Sequence, residues 1–329
     1  MLPKHRAANK TAAPKAGVSI LGRRFEGAFL YRVKQRLDYP RAVVTHRIRG
    51  TVGGTLITVL TLLFDLRTLK RLRNWGLLKP VEVLLRGGYV FVPYGVTRGS
   101  LFWTRHIDIT GAQTYHVIRG TLEPMVQEAL RRTLGEGGTF YDIGANIGYF
   151  SLTGVNLVGP GGQVVAVEPD PANVRAVEEN VRLNRVENVS VFEAAACDQS
   201  EPVELVRVED SGWSHLAQTG DHRMQVGRST VEGISLDDLA SRDGVRPPDV
   251  VKIDVEGAEL LVLQGMPELL RERGPTLIIE MHGRNREVIN FLRDFDYKVV
   301  NLDGPEDPAT APDSIHVLAQ QSKPARPAP

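Results

Sequence analysis

The sequence predicts an α/β fold with a parallel sheet, and three observations carry that expectation. From Thr139 onward, short apolar runs alternate with helical stretches. The first of those runs ends in a glycine-bearing turn, Asp142-Ile143-Gly144-Ala145-Asn146-Ile147-Gly148. Acidic residues recur where successive runs end: Asp142, Glu168, Asp198, Asp254 with Glu256, and Glu280 beside His282. Strand and helix in alternation give parallel βα units, and in such a sheet ligands collect beyond the carboxyl ends of the strands. These acids therefore form one group.

At 329 residues and 42% apolar composition, the chain can bury a full core as one large domain or two modest ones. Its formal charge of +1 conceals an asymmetry. Residues 1–80 carry 17 Lys or Arg against Glu26, Asp38 and Asp65, a net of +14, whereas residues 81–329 carry 23 basic and 36 acidic residues, a net of −13. A basic N-terminal arm is thus set off from an acidic body.

Within the arm, Thr51 to Phe64 are fourteen consecutive uncharged residues, short of the roughly 20 that span a bilayer. An interfacial helix or a helix packed on the body is expected. Peripheral membrane contact through residues 1–80 stands beside plain solvation of Arg67, Lys70, Arg71 and Arg73. Specific nucleic-acid binding is disfavoured because Trp75 is the only aromatic in the basic cluster. Cys197 is the single cysteine, so neither an intramolecular disulfide nor a multi-cysteine zinc site forms. Residues 1–16 lack the apolar core of a secretory signal, so the expected location is cytoplasmic, membrane-associated if the arm docks.

Residues 81–120 read as a β-hairpin region, because Val81–Arg86, Tyr89–Val92 and Tyr115–Arg119 alternate between glycine turns. Pro124 near a first turn predicts a helix that Gly135 stops. The predicted elements that follow are strand Thr139–Ile143, a helix from Tyr149, strand Gln163–Glu168, helix Pro171–Asn184 and strand Val189–Ala195. After them come helix Leu236–Ser241, strand Val250–Asp254, helix Ala258–Arg271, strand Thr276–Met281, helix Arg284–Phe295, and strands Lys298–Asn301 and Ile315–Leu318. Seven strands result, the last two joined as a hairpin. Residues 121–319 form the expected main domain, and 320–329, with Pro324, Pro327 and Pro329, the expected disordered tail.

Glu168 closes the second strand twenty residues after Gly148, a place where a carboxylate accepts hydrogen bonds from both hydroxyls of a ribose. The glycines permit a sharp turn and a close backbone approach to a ligand. A pyrophosphate turn needs G-x-G-x-x-G, but counting from Gly144 finds Asn146 and Tyr149 where the second and third glycines belong. What is left, D-x-G-x-x-x-G followed by a strand ending in Glu168-Pro169, resembles the first two motifs of class I S-adenosylmethionine-dependent methyltransferases. Their ligand carries a ribose and a methionine moiety and no phosphate. The resemblance implies a Rossmann-like seven-stranded sheet with flanking helices. It also implies binding of S-adenosyl-L-methionine by Asp142, Gly144, Asn146, Gly148, Glu168 and Asp198. An ordinary strand-to-helix turn would account for G-x-x-x-G alone, and helix capping for Asp170 and Asp198. Neither accounts for Asp142 or Glu168.

Val250 to Glu259 is the second sharp signal. Strand alternation puts Lys252 and Asp254 on one face, and charges inside an apolar run are costly unless paired or used. With the turn and Glu168-Pro169, the run Lys252-Ile253-Asp254-Val255-Glu256-Gly257-Ala258-Glu259 resembles the FkbM family of methyltransferases over roughly Gly120 to Leu318, about two thirds of the chain. Ser211 to Leu216 is a looser match to a loop of that family. The family implies O-methylation of a hydroxyl on a sugar, a glycan or glycolipid, or a polyketide-type natural product, so the partner is a small-molecule, glycan or lipid-linked acceptor. Methylation of a protein or small-molecule nitrogen, and a membrane-tethered module that binds the cofactor without catalysis, are the alternatives.

A methyl sulfonium is already activated, so the enzyme must align the acceptor oxygen, which contributes roughly 7 to 11 kcal/mol, and remove its proton. Asp254, Glu256 and His282 are the candidate bases, and Lys252 completes the catalytic set. His282 is favoured by its near-neutral free pKa, Asp254 by its position. Asp254 with Glu256 or Glu280 would alternatively hold Mg²⁺. Other chemistries lack their signatures: there is no P-loop, no Tyr-x-x-x-Lys, and no Pro-Pro-aromatic turn after the fourth strand, while Cys197 reads as packing where cytosine methylation would need a nucleophile.

Overall fold

Strands that are apolar on both faces demand helices on both sides of the sheet, and the computed structural model has that architecture. It describes residues 54–80, 88–103, 112–208, 215–216, 225–311 and 314–322. The expected strand Val81–Arg86, the loop residues Ser211–Ser214, residues 1–53 and the last seven residues of the tail lie outside these. The chain begins with α1, helical over 54–63, then α2 (Leu66–Asn74), β1 (Tyr89–Phe91), β2 (Leu101–Trp103), α3 (Ala112–Arg119) and α4 (Pro124–Thr133). The main run is β3 (Thr139–Ile143), α5 (Tyr149–Val158), β4 (Gln163–Glu168), α6 (Pro171–Asn184), β5 (Val189–Glu193) and β6 (Ala195–Ala196). Next come β7 (Val203–Val208), β8 (His215–Leu216), β9 (Gln225–Val231), β10 (Gly233–Ile234) and α7 (Leu236–Ala240). The chain closes with β11 (Val250–Ile253), α8 (Glu259–Gln264), α9 (Pro267–Glu272), β12 (Thr276–His282), α10 (Asn285–Arg293), β13 (Tyr297–Asn301) and β14 (Ser314–Gln321).

Seven strands form one sheet in the order β13-β14-β12-β11-β3-β4-β5. β5, β4, β3, β11 and β12 run parallel, and β14 is antiparallel to both neighbours. The chain starts in the middle at β3, works outward to β5, then returns to lay β11 on the other side of β3. That reversal opens a crevice at the carboxyl ends of β3 and β11, the switch point where open α/β sheets bind ligands. Alternation divides the core: Tyr141, Ile143, Val251 and Ile279 meet α7 to α10, while Phe140, Val164, Val250 and Ile278 meet α3 to α5. Asp142, Lys252 and Glu280 share the alternation of the second set, so the polar residues sit at the open end of that face.

The structure departs from expectation in five places. Tyr115–Arg119 is helical, because Thr114, Val117 and Ile118 bury themselves at helical spacing. The expected strand Val189–Ala195 breaks at Ala194, and β6 leaves the sheet to pair with β10. Ala258–Arg271 is two helices: Gly265 and Pro267 part them, and a Cβ on Gly265 would come within 2.0 Å of the Cys197 carbonyl oxygen. The stretch after Cys197, to which the sequence assigned no element before Leu236, carries a second sheet, β8-β7-β9. Finally, β14 runs through Gln321, whose Nε2 donates to the carbonyls of Leu270 (2.6 Å) and Phe295 (3.2 Å), so Gln320 and Gln321 belong to the sheet and not to a tail.

The apolar segment of the arm packs on the β1–β2 hairpin. Ile57 is fully buried beside Val90 and Phe102, a Cβ on Gly54 would lie 1.8 Å from the Tyr89 carbonyl oxygen, and Arg119 donates to the Thr61 carbonyl at 2.9 Å. No helix among the described residues is long and apolar enough to cross a membrane. Asn180 and Asn184 of α6 clamp β2: Asn184 exchanges hydrogen bonds with Leu101 at 2.9 and 2.8 Å, and the Trp103 amide donates to Asn180 at 2.7 Å. The Asn180 side chain also donates to the Ile147 carbonyl at 2.7 Å, tying the hairpin to the glycine turn.

Candidate active site

The turn after β3 makes its bend with three left-handed residues, Gly144 (φ 77°), Asn146 (φ 51°) and Gly148 (φ 80°). Glycine takes that conformation without cost, and asparagine tolerates it. The close approach at Gly144 is to protein: a Cβ there would lie 1.8 Å from the Asp254 carbonyl oxygen. At Gly148 it would meet Val177 at 3.2 Å. The amides of Gly144 and Ala145 donate to the Val167 carbonyl at 2.9 and 3.1 Å, holding the turn against β4.

That contact brings Glu168 under the turn. The Asn146 amide donates to Glu168 Oε2 at 2.8 Å, while Oε1 accepts from the Asp170 amide (3.0 Å) and Asn173 Nδ2 (3.2 Å). A carboxylate offers about four acceptor positions, so Oε2 keeps capacity for a ligand hydroxyl. Glu168 is 5% exposed, and burial pushes its pKa up to about 7 against those three hydrogen bonds. Asp142 is fully buried. Its Oδ2 accepts from Ser151 Oγ at 2.6 Å, its Oδ1 has no hydrogen-bond partner among the described residues, and burial raises its pKa to about 6 against the pull of Lys252. Asp198 lies exposed in the bend after β6, off the main sheet, and Asp170 is the N-cap of α6, accepting from the Ala172 amide at 2.7 Å.

Across the switch point, β11 pairs Lys252 with Asp142. The Lys252 ammonium is 3.0 Å from Asp254 Oδ2 and 4.8 Å from the centre of the Phe150 ring. Burial opposes its charge, but Asp254, Asp142 and Glu123 outweigh that and hold the ammonium protonated, above an ordinary lysine. Beyond Asp254 the chain turns on Glu256 (φ 51°) and Gly257 (φ 97°). Glu259, nearly buried at the start of α8, folds back to accept the Gly257 amide at 2.9 Å and meets His282 Nδ1 at 2.8 Å.

The other His282 nitrogen lies 3.5 Å from Glu280 and 3.8 Å from Glu256. Burial works against the imidazolium, yet the hydrogen bonds to Glu259 and Glu280 and the charges of Glu259 and Glu256 raise its pKa to about 11. His282 is therefore a cation at neutral pH. That charge weighs against the expectation, drawn from its free pKa, that His282 takes the acceptor's proton. The network continues through Glu280, 3.5 Å from His316, which in turn lies 2.9 Å from Asp303 and 3.6 Å from Glu123. Glu123 holds a left-handed conformation (φ 42°) at the head of α4 and gives its helix no side-chain cap.

Asp254, Glu280 and His282 place ligand atoms within 4.8 Å of one another, as do Glu123, Glu280 and His316. Lys252, His282 and His316 already supply positive charge to these carboxylates, so the donor set fits an internal ion network better than Mg²⁺. Glu123, Glu259, His316 and Asp303 were not singled out from sequence as site residues. Glu259 stood at the end of the quoted run. Glu123 and His316 are 193 positions apart and meet only through the register that sets His316 opposite Glu280.

A carboxylate under the turn, where a phosphate site would want backbone amides or a cation, sits at the switch point of a seven-stranded sheet with an antiparallel penultimate strand. Fold and site define a class I S-adenosylmethionine-dependent methyltransferase, and the buried acceptor on Glu168 fits a ribose hydroxyl. Over residues 142–299 the chain matches the family described as the methyltransferase FkbM domain. It is 29% identical over 246 residues to the 31-O-demethyl-FK506 methyltransferase FkbM of Streptomyces tacrolimicus, covering 64% of this chain and 93% of that relative. It is 29% identical over 223 residues to the hexuronic acid methyltransferase AglP of Haloferax volcanii, covering 64% and 81%. Among solved structures, a methyltransferase FkbM of Methylobacillus flagellatus KT aligns with a TM-score of 0.38 and 18% identity, over 64% of this chain and 54% of that one.

Proposed function

We propose that the enzyme methylates a hydroxyl oxygen of a sugar, a glycan or glycolipid, or a polyketide-type natural product. The observation that carries this is Asp254, a carboxylate paired to Lys252 and partly exposed at the switch point, directly against the turn that would cradle the cofactor. S-adenosylmethionine, when bound, supplies an already activated methyl group. Glu168 would accept from its ribose, and Gly144, Asn146 and Gly148 would shape the crevice around it. Asp254 Oδ1, the oxygen not facing Lys252, takes the proton of the acceptor hydroxyl. Lys252 holds that carboxylate in place from below. Glu256 stands next in line, with His282 3.8 Å from its carboxylate.

The names of the two relatives, one a 31-O-demethyl-FK506 methyltransferase and one a hexuronic acid methyltransferase, support an oxygen acceptor. So does the crevice itself, whose many carboxylates accept hydrogen bonds from hydroxyls. The test is transfer of an isotopically labelled methyl group from S-adenosylmethionine to an extract of the native cell, followed by carbon NMR of the product. A methyl carbon at the shift of an ether is expected. A methyl on nitrogen or sulfur refutes the proposal.

A further inference from the structure

We propose that the outward face of α1 and α2 docks this enzyme on an anionic lipid bilayer. α1 buries Ile57 and Thr61 against the body and turns Leu56, Val59 and Leu63 outward at positions i, i+3 and i+7, with Phe64 beside them. Leu63 is 70% exposed, and just beyond α2 Trp75 is 72% and Leu77 59% exposed. Monomeric surfaces seldom carry so many large apolar side chains in one short stretch unless they meet something.

The charge alongside says what they meet. α2 buries Leu69 and exposes Arg67, Lys70, Arg71 and Arg73. Asp65 is the only acid between Asp38 and Glu82, and its side chain is taken up as the cap of α2, accepting from the Thr68 amide at 2.8 Å. Apolar and aromatic side chains flanked by Lys and Arg match the acyl boundary and headgroup layer of an anionic leaflet. A nucleic acid would engage the cations and leave Leu63 and Leu77 in water. The ten helical residues of α1 cover about 15 Å, half of a hydrocarbon core of about 30 Å, so the contact lies on the surface and does not cross.

Co-sedimentation of the full chain with vesicles of phosphatidylglycerol and phosphatidylcholine tests this, with phosphatidylcholine alone and a DNA duplex as the other arms. Binding to the anionic vesicles only is expected, weakened tenfold or more by Leu63→Asp with Phe64→Asp and, separately, by Lys70→Glu with Arg71→Glu. Trp75→Asp, at a position exposed enough to leave folding alone, is expected to weaken binding in the same direction. Unaltered S-adenosylmethionine affinity shows that each variant is folded. The proposal is overturned if the intact chain stays in the supernatant, if the apolar variants bind as well as the parent, or if the duplex binds as tightly as the vesicles.

Discussion

The backbone of Gly144 rests on the carbonyl oxygen of Asp254, so close that a Cβ on the glycine would lie 1.8 Å from it. One hydrogen bond fixes the same junction from the other side, the Asp254 amide donating to the Ile143 carbonyl at 3.0 Å. The turn assigned to the cofactor and the carboxylate assigned to the acceptor are thereby a single rigid joint between β3 and β11. The spacing of the two backbones is set by direct contact, and Lys252, 3.0 Å from Asp254 Oδ2, holds the carboxylate itself. For a reaction whose barrier depends on lining up an oxygen with a methyl group, that is the useful kind of rigidity.

Gly144→Ala should therefore damage stability and both halves of the site together. The residue sits at φ 77°, where a Cβ costs roughly 1–2 kcal/mol, and overpacking against backbone adds about 1–3 kcal/mol. Denaturant unfolding is expected to show a loss of about 2 kcal/mol or more. An unchanged midpoint would show that the junction yields easily and that the glycine serves the ligand instead.

Glu168→Ala should weaken S-adenosylmethionine binding by about tenfold or more, since a hydrogen bond to a charged acceptor contributes roughly 1.5–3 kcal/mol. Burial holds Glu168 near pKa 7, and donation by a ribose hydroxyl favours its ionised form. Affinity measured by calorimetry should accordingly rise between pH 6 and 8 as the carboxylate ionises, and Glu168→Gln should flatten that rise. Parallel pH profiles for parent and variant count against the ribose assignment.

Much of this site is written in local sequence, and the reason is geometric. Asp142 to Gly148, Glu168 and Lys252 to Glu259 each lie within one strand end and its turn, so their spacing alone predicts their neighbours. What escaped depends on distant register or on environment. Tyr115–Arg119 has a composition that suits a strand, and only the burial of Thr114, Val117 and Ile118 reveals the helix. His282 looked like a base because a free imidazole titrates near neutrality. In the fold Glu259, aimed by folding back onto the Gly257 amide, raises that pKa and favours the charged ring. Glu123 and His316 needed the antiparallel pairing of β12 with β14 before they could be placed together.

Asp254→Asn should separate chemistry from binding. The amide keeps the shape of the side chain but cannot take a proton, and losing a general base costs about 10²–10⁴ in rate. Turnover is expected to fall by that range while S-adenosylmethionine affinity, by calorimetry, stays within about threefold, because the cofactor's proposed contacts lie across the junction. If turnover survives and Glu256→Gln abolishes it, the base is Glu256.

Removing metal should change little. Asp254 faces Lys252 at 3.0 Å, and Glu280 lies 3.5 Å from both His282 and His316, so a divalent ion would have to displace resident cations. Turnover after exhaustive chelation is expected to stay within about twofold of the untreated enzyme, since hard carboxylate oxygens already paired bind such ions poorly. Loss on chelation with recovery on Mg²⁺ would instead assign Asp254 and Glu280 to a metal.

His282 predicts the pH dependence of folding. Its pKa is raised in the native state from 6.5 to about 11, so the folded chain keeps a proton that the unfolded chain releases, and stability must fall as pH rises. The contribution is complete below pH 6.5 and disappears as pH passes through 11. Denaturant midpoints should drop between pH 7 and 10 in the parent, and His282→Gln should be less stable at pH 7 yet decline less steeply over the same range. His316, raised to about 10 by Glu123 and Glu280 against its own burial, acts in the same direction, so the slope should shrink without vanishing. Identical slopes for parent and variant would mean that His282 is neutral in the native protein, and would restore it as a candidate for the base.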